Sequence, residues 1–197
     1  MAYAGIWRAG AIIALIALLA ATAALALANQ TSAADGPRTE TIAIDVAEDM
    51  TRFVFDPDVV HDDGMPRHGS AFITQGYIYP AGTLNGSNGV NEDGSPEFPD
   101  KVIGEWTCRG WFVGEGAHAQ SGPMVITTQL YNFGAELGNE MLVLEGYELA
   151  DVGVAIERAI TGGTGKYRSA RGSAQQTFLG FNATEGVNLS LVIEVER

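Results

Sequence analysis

The most informative stretch of the chain is Thr161-Gly162-Gly163-Thr164-Gly165-Lys166-Tyr167-Arg168-Ser169-Ala170-Arg171-Gly172. Its three closely spaced glycines reach backbone conformations with positive φ that β-branched residues reach only at a cost. They therefore predict a tight reversal between two strands. The residues after the turn alternate in the manner of a strand, and we predict that this strand runs over residues 166–180.

The same turn has a superficial similarity to a phosphate-binding loop, because part of it reads Gly-Gly-Thr-Gly-Lys. A P-loop requires four residues between its first and last glycine, and a Ser or Thr directly after the Lys. Here Tyr167 follows Lys166, and the spacing of the glycines is too short. The sequence therefore argues for a turn between strands rather than a nucleotide site.

Strand-like segments recur along the rest of the chain at short spacing, separated by turns rich in glycine. We predict strands over residues 39–46, 51–56, 69–79, 101–113, 123–133, 140–149, 154–160, 166–180 and 187–196. Residues 80–100 form an unusually long connection, a feature that is typically functional or mobile. Many short strands with Gly-rich turns favour an antiparallel barrel or sandwich, and closure into a barrel would remove exposed edges.

The turn and its two arginines resemble the signature of the dirigent and allene oxide cyclase barrel family. The resemblance continues upstream through Leu144-Glu145-Gly146-Tyr147 and downstream through the strand at residues 187–196, so it covers about the last third of the chain well. It implies an all-β fold: an eight-stranded antiparallel β-barrel of the allene oxide cyclase/dirigent-like, calycin type, spanning residues 39–197. A barrel of this size can hold one small ligand.

The resemblance also implies a kind of chemistry. Allene oxide cyclases guide the ring closure of an unstable fatty-acid epoxide, and dirigent proteins orient phenolic radicals or quinone methides with aspartates and an arginine in the cavity. The arginines of the family pattern fall on Arg168 and Arg171, and the carboxylate after the first strand falls on Asp56. On this basis we predict Asp56 and Arg171 as catalytic residues and Arg168 as a ligand-binding residue.

Successive strand residues point to opposite faces, so only one of the two arginines is expected in the lumen. We favour Arg171, because Ser169 and Ser173 on the same face are small and polar and leave room for a guanidinium. The alternative is an ion pair on the surface. For Asp56 the alternative is a role in a turn, since Pro57 follows it directly.

Three tyrosines on predicted strands, Tyr77, Tyr131 and Tyr147, are suited to line a ligand cavity, since each combines an apolar ring with one hydroxyl group. Cys108 is the only cysteine, which excludes an intramolecular disulfide, and we expect it to be a small buried strand residue. The acidic and histidine residues at 61–63 match neither an EF-hand loop nor a zinc motif, so we predict no metal and no cofactor.

The N-terminal segment has the pattern of an export signal. Arg8 precedes an apolar run over residues 9–28, which ends in the small-x-small sequence Ala26-Leu27-Ala28. We predict a signal peptide over residues 1–28 and a linker over residues 29–38 in a secreted or periplasmic protein, with a composition consistent with a bacterial source. The alternative is an uncleaved membrane anchor over residues 9–28, since about 20 apolar residues span a bilayer.

The net charge of the chain limits the classes of partner that we expect it to bind. A formal net charge of −13 and a pI of about 4.4 disfavour nucleic acids and anionic membranes, which select basic surfaces. We expect no membrane contact after signal cleavage, and the family resemblance implies a homodimer or homotrimer.

Two function hypotheses follow from these observations. The first is an exported barrel that binds a small hydrophobic or phenolic ligand and steers its cyclisation or coupling, in the manner of an isomerase or cyclase. The second is a non-catalytic barrel that binds a lipophile or has a structural role. Two or more ionisable groups in the lumen would favour the first, an apolar lumen the second, and a fully packed lumen a structural role.

Overall fold

The structure is a computed structural model that describes residues 39–134 and 136–196. The predicted signal peptide and linker, like the alternative anchor over residues 9–28, lie outside these residues. Within them, no helix has the length and apolar character needed to cross a bilayer.

Eight antiparallel strands follow one another in sequence order, and the last pairs with the first to close a barrel. The strands are β1 (Thr39–Phe55), β2 (Ala71–Pro80), β3 (Gly104–Phe112), β4 (Pro123–Phe133), β5 (Met141–Leu149), β6 (Ala155–Gly163), β7 (Arg171–Phe181) and β8 (Val187–Glu196). The predicted eight-stranded antiparallel barrel is therefore confirmed. Closure gives every strand a hydrogen-bonded neighbour on both sides, which protects the edges that an open sheet would expose.

The first two predicted strands are in fact one. β1 runs continuously over 17 residues, and its register against β2 shifts between Asp49 and Val54. A β-bulge of this kind adds residues to one strand without ending it, so the polar stretch that separated the two predictions is part of the ladder.

The strand predicted over residues 166–180 begins later than expected. Gly165–Tyr167 form a single 3-10 turn, and β7 starts only at Arg171. Gly165 has a φ of +57°, and a Cβ at this position would collide with the carbonyl oxygen of Asn139. The turn brings the Tyr167 ring into the barrel end, where it lies 5.8 Å from the ring of Phe133. A tight reversal is thus present at the predicted place. It is followed by the 3-10 turn, whose Tyr167 side chain fills the barrel end, and not directly by the strand.

The core fills the inside of the barrel. One end of the lumen is apolar and is packed by side chains that alternate inward along their strands, including Ile44, Ile78, Leu142, Leu191 and Ile193. Cys108 is also among the buried inward residues, which confirms its predicted role as a small strand residue. The packing density of such an interior leaves little room for a ligand at this end.

The long connection between β2 and β3 covers the outside of the barrel. Leu84 and Val90 pack against Ala47 of β1 and Tyr79 of β2, which point outward. The Tyr79 hydroxyl donates to the Gly89 carbonyl at 2.6 Å, and the Leu84 N–H donates to the carboxylate of Asp45 at 2.9 Å. This cover explains why consecutive residues of β1 are buried on both faces of the strand.

Candidate functional site

Both predicted arginines lie outside the barrel. Arg171 is exposed at the start of β7, where Ala174 and Gln176 point inward and Arg171 falls on the opposite face. Arg168 is exposed in the turn before the strand. The predicted inward orientation of Arg171 is therefore wrong, because the face of β7 that Arg171 shares with Ser173 is the outer one.

Asp56 follows the end of β1, where its Oδ1 accepts the N–H of Asp58 at 3.0 Å. This is a turn role, the alternative that Pro57 had suggested. Arg171 pairs with Glu196, which also pairs with Thr39 at the start of β1, whereas Asp56 follows the opposite end of β1. The structure therefore does not bring Asp56 and Arg171 together.

The three predicted tyrosines separate into different environments. Tyr131 is fully buried in the lumen, and its hydroxyl donates to Oε1 of Gln129. Tyr147 is 48% exposed on the outer face. Tyr77 also points outward, where its hydroxyl donates to the carbonyl of Gly94 at 2.8 Å and the Arg52 guanidinium lies over its ring. Only Tyr131 is placed where a ligand in the lumen could reach it.

The lumen carries an ionisable pair that the sequence analysis did not select, formed by Glu148 of β5 and Arg158 of β6. The Arg158 side chain is fully buried, and its terminal nitrogens donate to the carbonyls of Tyr147 at 2.9 Å and Thr127 at 3.1 Å. They also donate to the Thr127 hydroxyl at 2.7 Å, which in turn donates to Oε1 of Glu148 at 2.7 Å. Arg158 also lies 3.8 Å from the same carboxylate.

Two further side chains complete this network. Gln176 of β7 donates to Oε2 of Glu148 at 3.1 Å, and the Cys108 thiol lies 3.7 Å from Oε1. Burial, together with the negative charge of Glu148, raises the pKa of the Cys108 thiol well above its usual value. The thiol is therefore neutral, and a thiolate nucleophile is not a role that this environment supports.

A second carboxyl group, Glu48 of β1, is buried near the same end of the lumen. Its Oε2 accepts the N–H of Val187 at 2.7 Å. Burial raises the pKa of Glu48 from 4.5 to about 7, against the opposing effect of the Val187 hydrogen bond, and the nearby charge of Glu148 adds to the rise. At neutral pH this group is present in both protonation states, which is the property expected of a general acid or base.

Several polar atoms of the cluster have no hydrogen-bond partner among residues 39–134 and 136–196. They are Oε1 of Gln176, Nε2 of Gln129 and Nε of Arg158. A buried polar atom without a partner costs about 1–3 kcal/mol, so these atoms are candidates for contact with a polar group from outside the chain.

The free space beside this network is small. A cavity of about 10 Å³ is lined by Glu148 and Gln176 together with the apolar side chains of Met124, Leu149, Val154, Ile156, Phe178, Val187 and Leu189. This volume corresponds to about one water molecule. We call this end of the lumen, around Glu148 and Gln176, the polar mouth. A molecule larger than water could enter it only if the apolar side chains that line the cavity moved aside.

A larger open groove of about 560 Å³ lies on the outside, between residues 82–88 and parts of β7 and β8. Among the lining residues that the structure describes, only Asp45 is titratable, and its carboxylate already accepts the N–H of Leu84. The groove therefore has the size of a ligand site but lacks the ionisable cluster found in the lumen.

One signal in the sequence could have identified the lumen residues. Glu48 is in phase with Ile44 and Val46 on β1, and Glu148 and Arg158 are likewise in phase with buried leucine and isoleucine residues of their strands. Alternation with a period of two places such charges on the inward face.

The fold and the lumen together define a closed β-barrel with an ionisable cluster buried at one end. No family model matches the chain, and no curated protein matches it in sequence. Among solved structures, it is similar to a pterocarpan synthase dirigent protein with 17% identity and a TM-score of 0.57, over 83% of this chain and 87% of that one. A second pterocarpan synthase dirigent protein matches with 18% identity and a TM-score of 0.56, over 80% and 94% of the two chains.

At these identities the similarity is one of fold. It confirms that the chain has a dirigent-like barrel, as the Gly-rich turn and its arginines had indicated, although those arginines do not enter the lumen.

Proposed function

We propose that this barrel binds one small hydrophobic or phenolic molecule at the polar mouth and steers its cyclisation or coupling. The observation that carries the proposal is the buried network of Glu148, Arg158 and Gln176, with Glu48 nearby. Isolated charges are expensive to bury, and a buried cluster of ionisable groups beside a cavity, with the raised pKa of Glu48 close by, is typical of functional sites.

The chemistry of the mouth suits a ligand with an apolar body and one polar group. Phe178, Ile156 and Met124 would surround the apolar body, and the unpaired Oε1 of Gln176 could accept a phenolic O–H. Glu48 would then act as the general acid or base, because its pKa of about 7 allows it to take up or release a proton at neutral pH. Glu148 and Arg158 would position the ligand. Two proteins of this fold are pterocarpan synthase dirigent proteins, and the proposal assigns a role of that general kind to this chain.

The small volume of the cavity favours a second candidate function, a structural barrel that binds nothing in its lumen. In that case the network would only stabilise the fold. The two candidates differ in whether the polar mouth opens to a ligand, which a binding experiment can decide.

The test is equilibrium dialysis of the purified full chain against para-propylphenol, a simple phenol with an apolar tail. We expect wild type and the control Glu157→Gln to bind, since Glu157 is exposed on β6. Glu148→Gln should bind at least about tenfold more weakly, because hydrogen bonds to charged groups contribute about 1.5–3 kcal/mol. Gln176→Met, which changes no charge, should also weaken binding. Absence of binding to wild type, or equal binding by all four proteins, would favour the structural barrel.

Native mass spectrometry of the protein as purified from its host tests the same proposal without a chosen probe. We further propose that the chain is exported and cleaved near residue 28, so the mature protein should begin near Asn29. A bound small-molecule adduct would identify the ligand class, and a retained N-terminal segment would instead support the membrane anchor.

A further inference from the structure

The outer faces of β3, β4 and β5 form a regular grid of nine side chains. The strand registers align them in three rows across the strands, which we call together the β4 face: Thr107, Leu130 and Val143; Arg109, Thr128 and Glu145; Trp111, Ile126 and Tyr147. Each row has its central residue on β4, and the inward neighbours of these residues are largely buried.

Three large apolar side chains of the β4 face are exposed to solvent. Trp111 is 56% exposed, Tyr147 is 48% exposed and Ile126 is 39% exposed, and all three lie in one row. Exposed Ile73 on β2 extends the patch to a fourth strand. Contiguous apolar patches of this kind usually mark an interaction surface, and Trp, Tyr and Arg are the residue types that contribute most energy at interfaces.

The β4 face also carries one cationic and one anionic side chain, on opposite sides of β4. Arg109 is exposed and forms no hydrogen bond or ion pair with any residue that the structure describes. Glu145 lies in the same row on the other side of β4, where its carboxylate accepts the Thr128 hydroxyl at 3.1 Å. Arg109 and Glu145 lie at equal distances from β4, on opposite sides of it. The charges of this surface are therefore complementary to those of the same surface on a second copy.

We propose that the β4 face binds the same face of a second copy of this chain, in a dimer whose two-fold axis runs along β4 within the interface. This axis exchanges β3 with β5 and keeps each row in place. Arg109 of one copy then faces Glu145 of its partner, Trp111 faces Tyr147, and Ile126 and Leu130 meet their own equivalents. A closed two-fold contact of this kind is the commonest form of homo-oligomer.

Charge selects this axis over the other arrangement that places the two faces together. A two-fold axis running across the strands would exchange the first and third rows and return the middle row to itself. Arg109 would then face Arg109, and Glu145 would face Glu145. Like charges directly opposed across an interface are unfavourable, whereas the axis along β4 opposes unlike charges twice.

The shape of the surface agrees with the same axis. Two barrels present convex surfaces that approach most closely along one line and diverge on either side. On β4 the side chains are of short to medium length, whereas the flanking columns carry Trp111, Arg109, Tyr147 and Glu145, which can reach across the widening gap. Three to five strands spaced about 4.8 Å apart give a contact below the usual value of about 800 Å² per partner, so we expect a dissociation constant in the micromolar range.

The experiment is sedimentation velocity of the full chain across micromolar concentrations at physiological ionic strength, with a charge-reversal cycle. We expect wild type to dimerise, and Arg109→Glu or Glu145→Arg to raise the dissociation constant about tenfold or more, because each places like charges in contact. The double variant Arg109→Glu/Glu145→Arg should restore dimerisation, as expected for two coupled residues. Trp111→Ser should also weaken it, and Arg171→Glu, the same charge change on exposed β7, should leave it unchanged.

The charge-reversal cycle distinguishes dimerisation through the β4 face from self-association through another surface. Self-association that persists unchanged in both single variants would assign it to another surface, such as the apolar N-terminal segment, and would overturn the proposal. A trimer, or a monomer at all concentrations tested, would overturn it as well. The result is independent of ligand binding at the polar mouth, since none of the varied residues lines that cavity.

Discussion

At the scale of single residues, the polar end of the lumen depends on Glu48, Glu148 and Arg158. Each takes an inward strand position that is otherwise apolar, and each is nearly or fully buried. The Arg158 guanidinium is held by two backbone carbonyls and one hydroxyl, which fixes its position beside Glu148. Such groups lose their hydration on folding, so stability should respond strongly when one of them is changed.

Replacing Arg158 with methionine should destabilise the barrel by about 3–5 kcal/mol, because it leaves the Glu148 carboxylate buried without its cation. Urea unfolding would measure this change, with Arg171→Met, at an exposed position, as the control. The double variant Arg158→Met/Glu148→Gln should lose less than the sum of the single variants, since the two residues are coupled. Equal effects of Arg158→Met and Arg171→Met would contradict the pairing.

Glu48 should make stability depend on pH. Its pKa is about 7 in the folded protein and 4.5 as the reference value, so the folded state holds more protons between these values. Unfolding free energy should therefore fall as pH rises from about 4.5 to about 7, by about 3 kcal/mol in total, and should level off above that range.

The variant Glu48→Gln isolates this effect from those of the neighbouring carboxylates Glu148 and Asp49. Gln resembles the protonated acid. The unfolding free energy of the variant should therefore equal that of wild type at about pH 5 and exceed it at about pH 8. Urea unfolding at both pH values tests this. The same loss of stability with pH in both proteins would show that another group titrates.

At the scale of elements, the reversal between β6 and β7 controls where β7 begins. The 3-10 turn Gly165–Tyr167 delays the strand by several residues and inserts Tyr167 into the barrel end. Arg171, at the start of β7, lies on the face opposite to the inward Ala174 and Gln176 and therefore points outward. The element that carries the family signature thus places both of its arginines outside the lumen.

Substituting Gly165 with alanine should destabilise the fold by more than the ordinary cost of about 1 kcal/mol for a change at a positive-φ glycine. The added Cβ would meet the carbonyl oxygen of Asn139, in addition to the strain at a φ of +57°. Gly153→Ala is the matched control, because Gly153 also has a positive φ but has open space around it. Thermal unfolding midpoints should rank wild type, Gly153→Ala and Gly165→Ala in descending order, and equal midpoints for the two variants would argue against the collision.

At the scale of the whole molecule, the chain combines a closed barrel with a large acidic excess. The formal net charge is −13, from 24 acidic and 11 basic residues. The described ion pairs are few, so most of these carboxylates face solvent without a cationic partner. Repulsion among them opposes the compact state and is screened by salt.

Raising the sodium chloride concentration from low to physiological ionic strength should therefore increase the thermal unfolding midpoint of the chain. The screening length falls to about 8 Å under physiological conditions, which reduces repulsion between separated surface charges. Calorimetry of the same sample in both buffers would measure the shift. A lower midpoint in salt would mean that attractive ion pairs contribute more than the net repulsion.

Much of the fold could be predicted from the sequence, because strand alternation and Gly-rich turns are local properties. The bounds of β4 and β8 match their predictions residue for residue, and Cys108 lies in the core as expected. The antiparallel order follows from the same local pattern, since short connections favour adjacent antiparallel pairing. The number of strands does not, because the pattern gave two segments where the structure has the single strand β1.

Only the tertiary structure decided which of the two faces of each strand lines the lumen. A slip of one residue in register, or one bulge, moves every following side chain to the other face. Arg171 lies on the outer face of β7, whereas Arg158, Glu148 and Glu48 lie on inward faces. The cover over β1 and the self-complementary grid on β4 are likewise products of register between distant segments, and register is set when the barrel closes.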